Sequence, residues 1–169
     1  ESVGIPNGKV LISHANIAPT ATGADDIQFL FSANKGVAPA PLKNAASGGE
    51  FSRLMLCIKY VLASKVSLPT IIFDEIDTGV SGEVALRVGK MLQKMAQNHQ
   101  LIAISHLPQI AAKGSQHYYV FKDNSHEKTM SMVKQLTEQE RISEIAQMIG
   151  GHNPTETAYQ SAKELLAMD

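Results

Sequence analysis

Three short stretches of this chain combine residue types that handle anions, cations and activated water. Ser47-Gly48-Gly49-Glu50 stands where a loop gives way to a helical pattern, so free backbone amides and the positive end of a helix dipole can face an anion there. Glycines let such a group approach the backbone; the plain alternative is a serine cap with two loop glycines. Thr70-Ile-Ile-Phe-Asp-Glu75 is an apolar run that ends in two adjacent carboxylates, a costly arrangement unless a cation or a reacting water uses them. Successive side chains on a strand diverge, so Asp74 can face a Mg2+ shell while Glu75 reaches a water; the alternative is a solvated strand end. Asp77-Thr-Gly-Val-Ser-Gly82 follows at once, a second glycine-rich turn that either lines the same place or is plain turn chemistry. His106, beside Ser105, ends a later apolar run where an imidazole can donate to an anionic oxygen. The other five of the 6 histidines suggest no role.

An α/β framework is needed to hold these groups. From Glu50, the residues Phe51, Leu54, Met55, Ile58, Val61 and Leu62 recur at i, i+3, i+4, i+7 spacing, predicting a helix with one buried stripe, opened by Ser47-Gly48-Gly49. The continuous apolar run 69–73 predicts a strand buried on both faces, with its acids at the carboxyl end where α/β sheets bind ligands. Residues 83–97 predict a second helix through Val84, Val88, Met91, Leu92 and Met95, and 100–105 a second buried strand. Helix, strand, helix, strand implies a parallel sheet. Ahead of these, 9–17 and 26–33 read as strands joined by the turn-rich 18–24, with Ile27, Phe29 and Phe31 on one face; 34–46, with Gly36, Pro39 and Pro41, reads as a loop. Behind them, 117–121 and 128–135 read as a hairpin. Thr137 with Glu140 forms a capping box ahead of Ile142, Ile145 and Ile149, and Asn153-Pro154 with Glu156 predicts the start of the last helix after a break at Gly150-Gly151. No repeat or heptad run interrupts this, so 1–169 reads as one lobe.

A chain of 169 residues with 44% apolar content suits one globular domain. The balance of 15 basic against 16 acidic residues excludes a broad phosphate-gripping face, so any DNA contact is local or lies elsewhere. Cys57 is the only cysteine, which rules out an intrachain disulfide and fits a reducing, cytoplasmic setting. No apolar run approaches the roughly 20 residues of a membrane span, and no charged-then-apolar leader is present.

In order and spacing these pieces resemble the C-terminal lobe of ABC-type ATPase heads. The wording of Ala46-Ser-Gly-Gly-Glu50, Phe73-Asp-Glu-Ile-Asp-Thr-Gly-Val-Ser-Gly82 and Ser105-His-Leu-Pro-Gln-Ile-Ala-Ala112 is similar to the SMC-like DNA-repair members of that family, over about Asp26 to Gly151. The resemblance implies the C-terminal lobe of an ABC/SMC-type P-loop ATPase head: an α/β fold with a mainly parallel sheet, flanking helices and an antiparallel hairpin. It implies ATP hydrolysis in double-strand-break repair and recombination, at a composite site shared by two heads. On that footing Ser47, Gly48, Gly49 and Glu50 are the signature motif, touching the γ-phosphate of ATP held by the opposite head. Asp74 organises Mg2+, mostly through water. Glu75 polarises the attacking water as general base, His106 contacts the γ-phosphate, and Asp77 opens a D-loop that couples the heads. The implied partners are the chain's own N-terminal Walker A lobe, a second head in an ATP-dependent homodimer, and nucleoid DNA, with no membrane.

The phosphate-cradling pattern G-x-x-x-x-G-K-S/T does not occur in the sequence; Gly4-Ile-Pro-Asn-Gly8-Lys9-Val10 has one residue too few between its glycines, and Val10 where a hydroxyl belongs. The expectation is a fragment that follows a coiled coil, is inactive alone, leaves part of its sheet unpaired, and needs its other lobe or self-association to cover apolar surface. A transporter nucleotide-binding domain would share the chemistry, but transporters generally carry Gln at the place of Glu50, and the turn from Asp77 is worded differently. A non-catalytic α/β interaction module is disfavoured by the intact Asp74, Glu75 and His106.

Overall fold

The strand signal near the start of the chain extends further than its apolar alternation. In the computed structural model, which describes residues 3–45, 48–66, 68–124 and 129–168, β1 (Lys9–Thr20) and β2 (Gly23–Ser32) form an antiparallel ribbon with Lys9 opposite Ser32 and Ala15 opposite Asp26. The turn is confined to 21–22, with Gly23 at φ 125°, where a seven-residue connection was expected. Within the expected loop 34–46, a short β3 (Ala40–Pro41) pairs with β2 and a single turn of helix, α1 (Leu42–Ala45), follows. Most of the ribbon stands in the open: Val10, Leu11, Ile12, Ile27 and Phe29 are each more than half exposed. Only its end is anchored, by Phe31 and Ala33 against Leu54.

α2 (Gly48–Ala63) is the predicted helix with a different buried face. Leu54, Leu56 and Ala63 are buried, while Phe51, Ile58, Val61 and Leu62 of the expected stripe are exposed. The helix packs through Leu56, Cys57, Tyr60 and Ala63, and no described residue covers its second apolar face. β4 (Thr70–Phe73) and β5 (Gln100–Ala103), joined by α3 (Gly82–Met95), pair in parallel with Thr70 opposite Gln100. The parallel part of the fold is this pair; the other strand pairings are antiparallel. Its strands were expected to be buried on both faces; β4 is buried on one, and in β5 only Leu101 is partly buried. Ile71 and Phe73 join Leu56, Val88, Leu92 and Met95 in the main core, whereas Ile72, Ile102 and Ile104 are about half exposed because the covering helices lie on the other side.

His99 pins the end of this layer from which the strands set out. Its Nδ1 lies 2.8 Å from the carbonyl oxygen of Leu68, ahead of β4, and its Nε2 lies 3.0 Å from that of Ala63, the last residue of α2.

Beyond β5, a short α4 (Pro108–Ala111) leads to the hairpin of β6 (Tyr118–Asp123) and β7 (Met130–Gln135), then to α5 (Glu138–Gly150) and α6 (Glu156–Ala167). The capping box of Thr137 and Glu140 forms as predicted. The last helix is capped by Thr155, whose hydroxyl accepts from the Ala158 amide, in place of Asn153-Pro154. A second core of Ala112, Ile145, Ala146 and Ala162 holds these helices together.

Candidate functional site

β4 delivers Asp74 and Glu75 at its carboxyl end, and both are exposed. The chain then turns sharply. Glu75 has φ 49°, and it is the one residue other than glycine with positive φ among those described. The Thr78 amide and hydroxyl both donate to its carbonyl, at 3.3 and 3.1 Å. A left-handed conformation costs a side-chain-bearing residue about 1–2 kcal/mol, and strain of this kind gathers at working sites.

Ile76, Asp77 and Val80 anchor the turn from inside. Asp77 is 1% exposed, and its Oδ2 accepts from Ser105 Oγ at 2.5 Å, the His106 amide at 2.7 Å and the Leu107 amide at 3.3 Å. His106 Nδ1 lies 3.0 Å from the same oxygen. Burial pushes the Asp77 carboxyl up, but the hydrogen bonds from Ser105 and His106 outweigh it and hold the group below the usual carboxylate range. Asp77, expected to face a second head, thus turns its carboxylate inward to the loop after β5, and the outer side of the turn is formed by the exposed Thr78 and Gly79. The His106 side chain is three-quarters exposed.

Gly48, Gly49 and Glu50 make the first turn of α2, within the helix and not ahead of it; Ser47 lies outside the described residues. This helix end rests on the turn after β4. A Cβ on Gly49 would come within 3.0 Å of the Thr78 carbonyl oxygen, and Arg53 Nη1 donates to the Gly79 carbonyl at 2.6 Å. Among the described residues, nothing outside the helix's own backbone lies within 4 Å of where a Cβ on Gly48 would be. Glu50 sits in the first turn, where a carboxylate complements the helix dipole. Asp74 lines a shallow groove with Phe51, Ser52, Met55 and Lys59. Lys59 itself lies over the Phe73 ring, 4.9 Å from its centre, and donates to the Ile72 carbonyl at 3.3 Å.

The structure therefore gathers Gly49, Asp77 and His106 around one turn that begins at Glu75, next to Asp74. It adds Arg53 and Ser105, which the sequence reading gave no role. The signals for these two were a basic residue one helical turn beyond Gly49 and a hydroxyl immediately before His106. Among the described residues no three His, Cys, Asp or Glu come together as a metal site. A lone Asp74 suits Mg2+, which keeps several waters and takes one or two carboxylates alongside phosphate oxygens.

No protein-family model matches the chain. Curated relatives do: the DNA repair protein RecN of Rickettsia conorii is 47% identical over 148 residues, covering 88% of this chain and 27% of that protein. RecN of Bacillus subtilis is 41% identical over 156 residues, with 92% and 27% covered, and RecN of Deinococcus radiodurans 40% over 166 residues, with 98% and 29%. The chain thus spans under a third of the length of these relatives. Among solved structures, the SMC head domain of Pyrococcus furiosus bound to the C-terminal domain of ScpA superposes with a TM-score of 0.62 at 17% identity, over 88% of this chain and 35% of that one. The SMC head of Pyrococcus yayanosii with its coiled coil gives 0.61 at 20%, over 83% and 26%. The fold is that found in SMC head domains, and the chain belongs to the RecN family.

Proposed function

We propose that this segment supplies the signature turn, the Walker B acids and the switch histidine of an ATP-hydrolysing head that serves DNA double-strand-break repair. The observation that carries the reading is the convergence of the α2 N-terminus, the β4 acids and His106 on the single turn 75–79. ATP, when bound with Mg2+, supplies the phosphoryl group and the charge that neutralises it. On this reading Gly48 and Gly49, with Ser47, offer backbone amides at a helix N-terminus to its γ-phosphate. Asp74 would hold the cation. Glu75, projected outward by its left-handed backbone, takes the proton of the attacking water. His106 lies with Nδ1 against Asp77, so Nε2 is the ring nitrogen turned away from it, and Nε2 donates to a phosphate oxygen when it carries an N–H.

The bare face of β4–β5 and the second apolar face of α2 support a further part of the reading: another lobe, carrying the Walker A loop, completes this layer. A parallel sheet is ordinarily covered on both faces. The whole head then pairs with a second one around ATP and acts on DNA in the cytoplasm, and this segment alone has no turnover. No helix among the described residues is long and apolar enough to cross a membrane, and nothing in the site favours the transporter reading.

The test is ATP turnover by the full-length protein. Glu75→Gln should lower kcat by about 10²–10⁴-fold, and wild-type turnover should rise more than linearly with protein concentration. A Glu75→Gln protein with undiminished turnover would overturn the assignment.

A further inference from the structure

Asp77 reaches out of its own turn into the loop after β5, where Ser105 Oγ, the His106 and Leu107 amides and His106 Nδ1 all converge on its Oδ2. A carboxylate that only closed a turn would bond within that turn. Here Oδ2 gathers two amides, a hydroxyl and a ring nitrogen, while the buried Oδ1 has no partner, an arrangement unfavourable for stability taken alone. Its effect on His106 is specific: the backbone is held on both sides of the residue, and the contact to Nδ1 fixes which ring nitrogen faces outward.

We infer that Asp77 is the positioning residue of His106, and that through Thr78 and Gly79, on which Gly49 and Arg53 rest, it refers the place of the imidazole to the N-terminal end of α2. The inference rests on the reading of His106 as the group that meets phosphate. It makes residues 77–79 a shared datum: a shift of α2 at its signature end moves the turn, and the turn carries His106 with it.

The test is a double-mutant cycle in the full-length protein, joined to amide hydrogen exchange. His106→Ala should lower kcat about 10²-fold, and Asp77→Ala about tenfold or more with little change in KM. In the His106→Ala background, Asp77→Ala should change kcat by less than about twofold, because its effect passes through a side chain no longer present. Asp77→Asn keeps an acceptor and should fall between wild type and Asp77→Ala; it carries the same cycle if the alanine variant does not fold. In nucleotide-free protein the His106 and Leu107 amides should exchange faster in Asp77→Ala while those of α5 do not. Losses that multiply in the double variant, or unchanged exchange at His106 and Leu107, would overturn the inference. Wild-type turnover in His106→Ala would instead remove the role given to His106 and the functional part of this proposal with it, while exchange would still report whether Asp77 holds the loop.

Discussion

Replacing Glu75 by glycine should separate two properties that the residue combines. Glycine adopts φ 49° without steric penalty, so Glu75→Gly should raise stability in denaturant unfolding by up to about 1 kcal/mol while abolishing turnover. Equal or lower stability would mean that the turn is not strained by its side chain. Asp77 makes the opposite prediction. Its carboxyl is held below the ordinary range in the fold, so its contribution is complete above the ordinary carboxylate pKa and drains away as the pH falls through the depressed one. Unfolding followed between pH 5 and pH 2 should therefore show an acid-side loss that is smaller in Asp77→Asn. That Asp74 and Glu75 directly follow a strand was legible from the sequence, because they end an apolar run, while His106 lies three residues past the end of β5. The inward turn of Asp77 was not legible, since it depends on Ser105, 28 positions further on. Arg53 was hidden for the same reason: its acceptor, the Gly79 carbonyl, is placed by tertiary packing alone.

Among the elements, α5 is the one whose start is most fully specified locally. Thr137 and Glu140 exchange hydrogen bonds, Lys134 adds an ion pair at 2.5 Å, and Glu140 is held down at about 2 by Lys134 first and Thr137 second. Thr137→Ala should cost about 1 kcal/mol, and the benefit of the Glu140 carboxylate, full above its ordinary pKa, should fade as the pH drops toward 2. Chemical unfolding of both Thr137→Ala and the parent across that range checks the pair; identical pH dependence would show that the box contributes nothing to stability. The period of α2 was legible, but its buried side was not. Apolar residues circle enough of the helix that only the positions of β4 and α3 decide which of them are covered. The strand β4 was read correctly as strand and incorrectly as buried twice, because a run such as Thr70–Phe73 records hydrophobicity, not how many layers surround it.

Taken as a whole, the molecule leaves apolar surface open on the β1–β2 ribbon, on α2 and on the free face of β4–β5. Patches of this kind on a soluble chain mark contact surfaces. The isolated segment should therefore self-associate at high concentration, and light scattering should show a mass that falls toward the monomer in an Ile72→Lys, Ile102→Lys double variant. A strictly monomeric parent would argue that these faces need no cover. Against this exposed side stands the pinned one. His99 ties the last turn of α2 to the strand entries, while the acids, the turn 75–79 and His106 all lie past the opposite ends of the same strands. With its tail riveted there, α2 cannot slide along its axis without breaking those bonds. Any tilt of α2 about that fixed end would move the glycine pair at its tip farthest.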